Sequence, residues 1–272
     1  MCTAYGIYQR FQAPVLITVL SLFLSCSKDT TVVAPVQISK IVTLQSNLNA
    51  YDSILFRYNS DYQISNIRSY YYGRPQPENQ DWYYTHTQLD SIVYTGYYGN
   101  PLVYGYLGSM SLGYNEDLVS LLSYYEFQSF DTSRIIYDSQ GRISRLEHSL
   151  TSTPLNDNYN EFDYDGDNIS AEYSYTRDSP DSAYKLFSTC TFIYDGRLNP
   201  FYHNYPLPYC NIAVTTDHAK YLSKNNVTSC KIVRESSTIL ETFTYIYNGY
   251  SLPTKVEYQF NGGYSSEAYY YN

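Results

Sequence analysis

The chain has 272 residues, and its 26 acidic residues against 17 lysines and arginines give a formal net charge of −9. Because an acidic surface repels phosphate groups, nucleic acid is excluded as an expected partner. The 37 tyrosines are typical of β-strands, in which the ring either packs in a core or faces water.

The first 25 residues have the features of an export signal. Arg10 precedes an apolar run over residues 13–24, which suits a secretory signal and is too short to cross a bilayer. Residues 23–26, with the small Ser25 before Cys26, resemble a bacterial lipobox. This predicts cleavage after residue 25 and lipidation of Cys26, which would hold the protein at a membrane surface without a spanning helix. The alternative is an ordinary signal peptide with an incidental cysteine.

Residues 26–35 comprise the lipidated cysteine and a short, mostly polar tether that ends at Pro35. We expect residues 36–272 to form one β domain. Its first segment has Val36 and Ile38 alternating with polar neighbours, and Lys40 suits an exposed position. This pattern predicts an edge strand.

One short pattern recurs along most of this domain. A large apolar residue stands two positions before a tyrosine, Asn or Asp follows the tyrosine, and an aliphatic residue comes four to six positions after it. The clearest copy is Ile135, Tyr137, Asp138 and Ile143. The other copies are Phe56/Tyr58/Asn59/Ile64, Leu112/Tyr114/Asn115/Leu118, Phe162/Tyr164/Asp165/Ile169, Phe192/Tyr194/Asp195/Leu198 and Tyr245/Tyr247/Asn248/Leu252, with a degenerate one at Tyr94/Gly96/Leu102.

Each copy predicts a β-hairpin. Ile135 and Tyr137 are two apart and therefore share one face of a strand, and the Asp, Asn and Gly that follow favour a tight turn. After the turn, aliphatic residues often recur three positions apart, as in Ile64 and Ile67 or Leu118 and Leu121, which predicts a bulge just past the turn. The fold class is therefore all-β: an antiparallel meander of tandem hairpins, with about fourteen to sixteen strands in one large twisted or curled sheet. A closed shell around a cargo is not expected, because the repeats are too few.

Residues 137–143 match the core Y-D-x-x-G-R-[LI] of the YD or RHS-type repeat, from Tyr137-Asp138 to Gly141-Arg142-Ile143. Together with the amino-terminal features, the chain resembles a Bacteroidetes-type lipoprotein of a family of unknown function with YD-like repeats. The resemblance covers roughly residues 36–272. It implies an exported, membrane-anchored protein and names no activity.

Residues 199–226 interrupt the repeat and are rich in Pro, Asn and His. They lack strand alternation, and we expect a loop with a short helical turn at about residues 216–222. Such an excursion is either a functional loop or a cap that covers part of the sheet.

The first half of the domain contains clustered aromatic residues outside the repeat register. They are Trp82, Tyr83, Tyr84, Tyr97 and Tyr98. Clustered rings could stack on sugars or on a partner's side chains, so these five are the candidate ligand-binding residues. The alternative is cross-strand aromatic ladders that stabilise the sheet.

Asp163, Asp165 and Asp167 are spaced by two around a glycine turn and are weak candidates for calcium ligands. Their spacing is not that of an EF-hand loop, and no Glu follows at the required place. Solvated turn residues are the alternative, and no metal or other cofactor is expected.

Cys190, Cys210 and Cys230 remain after export, and an oxidising compartment permits one disulfide among them. Cys210 with Cys230 is the candidate pair. Burial of the three cysteines as small apolar residues is the alternative.

No set of residues in the sequence has the spacing of a catalytic triad or a metal-dependent active site. The predicted function is therefore non-enzymatic: a binding or structural role at the cell envelope, as an outer-membrane lipoprotein on the surface or the periplasmic face. Its expected partners are the membrane, through the lipid, and a glycan or an envelope protein. The alternative is a glycan- or peptide-degrading hydrolase, for which two carboxylates in one cleft would be the evidence.

Overall fold

The computed structural model describes residues 37–45, 50–74, 76–98, 103–126, 129–150, 158–179, 181–202, 218–260 and 263–272. The predicted signal segment and the tether lie outside the described residues. Of the two compact units into which the chain divides, Met1–Pro35 and Val36–Asn272, only the second is described below.

The described residues of this unit form sixteen strands and one helix. The strands are β1 (Ile38–Gln45), β2 (Ala50–Tyr58), β3 (Ile64–Tyr70), β4 (Glu78–Thr85), β5 (Gln88–Tyr98), β6 (Val103–Asn115), β7 (Leu118–Glu126), β8 (Ser129–Tyr137), β9 (Ile143–Leu150), β10 (Asn158–Asp165), β11 (Asn168–Thr176), β12 (Lys185–Leu198), β13 (Asn225–Arg234), β14 (Ser237–Tyr247), β15 (Pro253–Phe260) and β16 (Gly263–Tyr271). The helix, α1, spans His218–Leu222 and lies within the predicted helical turn. Among the described helical residues, no stretch is long and apolar enough to cross a membrane.

Every strand pairs antiparallel with its neighbours in the sequence, which confirms the predicted all-β meander. The sheet closes on itself into a barrel, because β1 pairs with both β2 and β16. Ile41 faces Ile54 on one side and Tyr269 on the other. The expected edge strand is therefore not an edge, and the sheet does not remain a wide open surface. Closure pairs the main-chain groups that two free edges would leave to solvent.

Most copies of the repeated pattern form hairpins, as their spacing predicts. In the copy at β8 and β9, Ile135 pairs with Leu146 and Tyr137 pairs with Ile143, with Ser144 as the extra residue of a bulge. The same register shift precedes the repeat tyrosine in the other hairpins of this kind. The predicted bulge is confirmed. It explains the spacing of three, because one extra residue returns the second aliphatic side chain to the interior.

The prediction was wrong at four copies, those at Tyr94, Tyr114, Tyr194 and Tyr247. Leu198 is still part of β12 and is 44% exposed, and the residue that pairs with Tyr247 is Pro253, not Leu252. After Tyr114, the buried pair is Val119 and Leu122, whereas Leu118 and Leu121 are exposed. The predicted loop was one residue too short, and a shift of one residue exchanges the two faces of a strand.

The degenerate copy at Tyr94 and Gly96 is not a turn. Gly96 lies within β5 and pairs with Gly105 of β6. The hairpin of this region joins β4 to β5, and in it Tyr84 pairs with Leu89. Its turn lacks the Asn or Asp after the tyrosine, which is why the pattern did not reveal it.

Most repeat tyrosines lie half-buried inside the barrel and donate a hydrogen bond to a carbonyl of the preceding hairpin. The bonds are Tyr58 to Ile38, Tyr84 to Ile64, Tyr114 to Leu89, Tyr137 to Val119, Tyr164 to Ile143, Tyr194 to Ile169 and Tyr271 to Pro253, at 2.6–2.9 Å. Tyr247 departs from this series and donates to Asp195. Adjacent hairpins are thus connected by a side chain as well as by the sheet.

The interior of the barrel is the hydrophobic core. Side chains such as Leu89, Ile92, Met110 and Leu122 are almost completely buried, and the core cluster draws on strands from β1 to β16. Such burial requires that side chains fill the lumen along these strands.

The outer wall carries charged side chains in the middle of strands. Arg134 lies 3.8 Å from Glu147, and Arg145 lies 3.1 Å from Glu147 and 3.8 Å from Glu161. These residues alternate along β8 to β10 with inward-facing apolar residues. The barrel is therefore apolar inside and polar outside in this region.

Candidate functional site: an interior cavity

The side of the barrel formed by β10 to β16 contains a cavity of about 990 Å³. Among the described residues, its lining comes from these strands, from the segment after β12 and from α1. The lining includes Phe187 and Tyr264, which are 49% and 40% exposed and lie towards the end opposite the repeat turns. The cavity therefore reaches solvent at that end.

The described parts of the excursion after β12, residues 199–202 and 218–224, close the cavity at the repeat-turn end. The amide nitrogen of the Asn199 side chain donates to the carbonyls of Lys220 at 2.7 Å and Ser223 at 2.8 Å. Its amide oxygen accepts from the main-chain N–H of Phe201 at 3.0 Å. One buried asparagine thus joins the two ends of the excursion. The sequence left a functional loop and a cap as alternatives, and the described part of the excursion is a cap.

Phe201 anchors this cap in the core. The side chain is 3% exposed, and its ring lies edge-on to Tyr221 at 5.2 Å and to Tyr269 at 6.1 Å. The Lys220 ammonium lies 5.4 Å from the centre of the same ring and 3.1 Å from Glu267. The cap is therefore fixed to β16 by both packing and an ion pair.

Glu267 is ionised in this setting. Burial alone would raise the pKa of its carboxyl, but the Lys220 ammonium and the Tyr269 hydroxyl hold that pKa below its ordinary value. Burial also raises the pKa of the Tyr269 hydroxyl well above its ordinary value. This glutamate is a charged, fully engaged structural group.

The wall formed by β10 to β12 is polar. Glu172 is 3% exposed, and its Oε1 lies 2.7 Å from the Asn160 amide nitrogen and 2.9 Å from Nδ1 of His218. The same Asn160 nitrogen lies 2.9 Å from the Ser174 hydroxyl. The second carboxylate oxygen of Glu172, Oε2, is buried without a hydrogen-bond partner. An acceptor left in this way is costly, because burial removes its hydrogen bonds to water.

The wall formed by β14 to β16 is aromatic. Phe243 and Tyr258 face each other across the strand pair with ring centres 6.1 Å apart. Tyr245 lies two residues further along β14, and its burial raises the pKa of its hydroxyl. All three line the cavity.

Cys190 and Cys230 lie between these walls, on β12 and β13. Cys230 faces Phe192, and Cys190 is two residues before Phe192, so the two cysteines are diagonal neighbours. Their thiols are in hydrogen-bonding contact, and this contact together with burial raises the pKa of the Cys230 thiol. Among the described cysteines, Cys190 is therefore the neighbour of Cys230. The predicted partner, Cys210, lies outside the described residues.

The five candidate aromatic residues do not form one exposed surface. Trp82 is 5% exposed and belongs to the core, while its neighbour Tyr83 points outwards and is 53% exposed. Tyr84 packs against the core and bonds to Ile64. Strand alternation separates neighbouring rings in this way, so a single binding surface over residues 82–84 is ruled out.

The other two aromatic residues lie near the end of β5. Tyr97 pairs with Tyr104 of β6, and their rings lie edge-on at 5.2 Å, which is a cross-strand aromatic pair. Tyr98 pairs with Val103 through the main chain, and its side chain is outside the described residues.

The candidate calcium residues are engaged separately. Asp163 accepts a hydrogen bond from Tyr173 at 3.0 Å, and Asp167 pairs with Lys224 at 3.0 Å. Within the described ranges, no three His, Cys, Asp or Glu side chains converge on a point where a metal ion could sit. Asp165 is exposed in the same turn, and Cys26 lies outside the described residues.

Sequence reasoning missed the cavity. Its three glutamates are not conspicuous in the sequence. Glu172 lies among polar residues of β11, and Glu241 and Glu267 are single acidic residues within β14 and β16. An acidic residue in register with inward-facing apolar residues was the available signal. It could not be used without knowing which face of each strand points inwards.

No family model matches the chain, and no curated protein matches it. The fold is similar to that of a porin-like protein from Bacteroides uniformis, with a TM-score of 0.56 and 13% sequence identity. The match covers 88% of this chain and 99% of that chain. At this identity the likeness concerns the fold alone.

Proposed function

We propose that the protein is an exported lipoprotein, anchored through Cys26, whose barrel binds a small molecule without chemical conversion. The cavity of about 990 Å³ carries the proposal. Pockets for small ligands typically have volumes of roughly 300–1,000 Å³ and combine an apolar lining with a few placed polar groups. The cavity has this composition, and it is capped at one end and reaches solvent at the other.

The proposed setting is the aqueous side of the cell envelope, with the barrel outside the lipid. A barrel that crosses a membrane presents an apolar band to lipid and keeps its polar residues inside. Here Arg134, Arg145, Glu147 and Glu161 form a charged ladder on the outer wall, and apolar side chains fill much of the interior. This arrangement supports a barrel that stands in water beside the membrane to which Cys26 attaches it. Membership of the lipoprotein family with YD-like repeats is part of the same proposal.

Binding is favoured over hydrolysis because the cavity carboxylates with defined contacts are held by structural partners. Glu267 is paired with Lys220 and Tyr269, and Oε1 of Glu172 is held by Asn160 and His218. A general acid or base must exchange a proton with a substrate. These two carboxylates instead hold their hydrogen bonds and ion pair within the protein. A hydrolase remains the alternative, because Glu172, Glu241 and Glu267 share one cavity.

The anchoring part is tested by membrane fractionation of cells that express the wild type or Cys26→Ala. We expect the wild type in the membrane fraction and the variant in the soluble fraction. Equal partition of both proteins would refute the lipid anchor.

The binding part is tested by mass spectrometry of the organic and aqueous extracts of the purified protein, compared with Ser188→Trp. Ser188 is buried on the cavity wall, so the larger ring should occupy the space. We expect a co-purified molecule in the wild type and its loss in a folded Ser188→Trp variant. Should neither protein retain or bind any small molecule, the proposed function fails; release of a cleaved product would instead favour the hydrolase.

A further inference from the structure

The two long walls of the cavity differ in chemistry. On one side, Phe243, Tyr245 and Tyr258 present aromatic rings. On the other side, Asn160, Glu172, Ser174 and Ser188 present amide, carboxylate and hydroxyl groups. A ligand that satisfies both walls needs an apolar face and, on the opposite side, several hydrogen-bonding groups.

A purely apolar ligand does not fit this arrangement. It would cover the polar wall without supplying hydrogen bonds, and burying polar groups against hydrocarbon is unfavourable. Asn160, Ser174 and Ser188 all line the cavity on this side. A ligand that brings hydrogen-bonding groups to this wall is therefore favoured over a hydrocarbon.

A charged ligand is also disfavoured. Glu267 is paired with the Lys220 ammonium at 3.1 Å, and Glu172 is held by a hydrogen bond with His218 at 2.9 Å. The remaining charged lining residues, Arg234 and Glu241, are of opposite sign. The described wall therefore has no excess of one charge large enough to offset the cost of desolvating an ion.

We infer that the cavity takes a neutral, hydroxylated ring ligand, namely a short oligosaccharide. One face of a sugar ring is apolar and can stack on Phe243 and Tyr258, while its hydroxyls can donate to and accept from the wall that contains Glu172. The volume of about 990 Å³ is at the upper end for small ligands, which suits several linked rings rather than one. This inference rests on the proposed function and names the ligand class of the same site.

The mouth of the cavity has the same chemistry. Phe187 is exposed there, with the Arg234 guanidinium 5.3 Å from its ring centre, and Tyr264 lies on the opposite side of the lining. Exposed rings beside a donor-rich guanidinium suit a chain of hydroxylated rings that extends into solvent.

The test is calorimetric titration of the purified protein with four neutral tetrasaccharides: cellotetraose, maltotetraose, xylotetraose and tetra-N-acetylchitotetraose. Two comparison probes are used: dodecanoate, which has a long apolar chain and an anionic head, and spermidine, which is cationic. We expect at least one tetrasaccharide to bind. Phe243→Ala should weaken that binding at least thirtyfold, as loss of a central aromatic anchor does.

Phe130→Ala is the matched control, because Phe130 is 48% exposed outside the cavity and undergoes the same chemical change. Its affinity should equal that of the wild type. If Phe243→Ala does not fold, Asn160→Ala tests the polar wall, with Asn66→Ala on the outer face as its control; Asn66 bonds to Asp81 outside the cavity.

The outcomes separate the two proposals. If no tetrasaccharide binds but dodecanoate or spermidine binds and depends on Phe243 or Asn160, the ligand class is wrong and the binding function stands. If no probe binds in a cavity-dependent way and no molecule co-purifies, both proposals fail. Tetrasaccharide binding that neither cavity variant alters would also overturn the inference, because the sugar would then bind elsewhere.

Discussion

The hydroxyl of Tyr164 donates a hydrogen bond to the main-chain carbonyl of Ile143 at 2.8 Å, which joins the hairpin β10–β11 to the hairpin β8–β9. Burial raises the pKa of this hydroxyl, and the Arg142 guanidinium lies 4.4 Å from the centre of the ring. The repeat tyrosine is thus a connector between units, which explains why the pattern requires tyrosine and not phenylalanine at this position.

Tyr164→Phe should lower the free energy of unfolding by about 1–2 kcal/mol, because the ring is retained while a buried carbonyl loses its donor. Urea denaturation followed by circular dichroism measures this change. Tyr173→Phe is the control, since the Tyr173 hydroxyl bonds to Asp163 on the exposed surface. Equal stability of the two variants would mean that the connection between hairpins contributes nothing.

Trp82→Ala should destabilise the barrel by about 3–5 kcal/mol, as is typical when a large buried aromatic side chain is removed. Trp82 is 5% exposed, whereas the next residue, Tyr83, is 53% exposed on the outer face. Tyr83→Ala should therefore change stability by no more than about 0.5 kcal/mol. Denaturation monitored by circular dichroism compares them, and a Trp82→Ala variant as stable as the wild type would contradict the core position.

Stability should fall as the pH drops from about 6.5 to about 4. Burial, with a smaller effect from the charge of His218, lowers the pKa of His148 to about 4 from its ordinary value of 6.5. The unfolded chain therefore binds a proton in this range that the folded chain does not, so stability is present above pH 6.5 and is lost on acidification. The full shift corresponds to about 3 kcal/mol.

The comparison of His148→Asn with the wild type isolates this contribution, because other groups also titrate near pH 4. We expect the variant to lose less stability than the wild type between pH 7 and pH 4. His86→Asn is the control, since His86 lies exposed in a turn with a φ of 58°, which asparagine tolerates. Parallel pH profiles of all three proteins would show that His148 does not stay neutral in the fold.

Mild oxidation should link Cys190 to Cys230. Their side chains lie on the same face of adjacent strands and their thiols are in contact, so the two sulfurs are the pair placed to react. With diamide as the oxidant, the two thiols lose two protons and two electrons, and the diamide is reduced to the hydrazine. Peptide mapping without reductant should recover the Cys190–Cys230 peptide, and Cys190→Ser should abolish it. A Cys210–Cys230 peptide in the wild type would favour the pairing predicted from the sequence instead.

The local structure could be read from the sequence. A strand, a turn and a second strand are specified by Ile135, Tyr137, Asp138 and Ile143. Side-chain alternation and turn preferences depend only on residues close together in the chain. The spacing of Ile64 and Ile67 also revealed the bulge. The helical turn before Ser223 was predicted from the loss of strand alternation, and α1 confirms it.

Closure of the sheet could not be read in this way. It depends on the pairing of β1 with β16, whose residues lie at opposite ends of the domain, as in the contact of Ile41 with Tyr269. A repeat pattern specifies each hairpin and its neighbour, but the number of strands and their accumulated twist decide whether the two edges meet.

The sequence by itself determined most of the strands and turns and the short helix, because these follow from interactions between residues close together in the chain. Only the tertiary structure decided that Trp82 faces inwards, and that Glu172 and His218, 46 residues apart, meet at the wall of one cavity. Barrel closure and the cap around Asn199 set which face of a strand points inwards and which polar residues meet there. Burial and long-range pairing are properties of the closed barrel and not of any single segment.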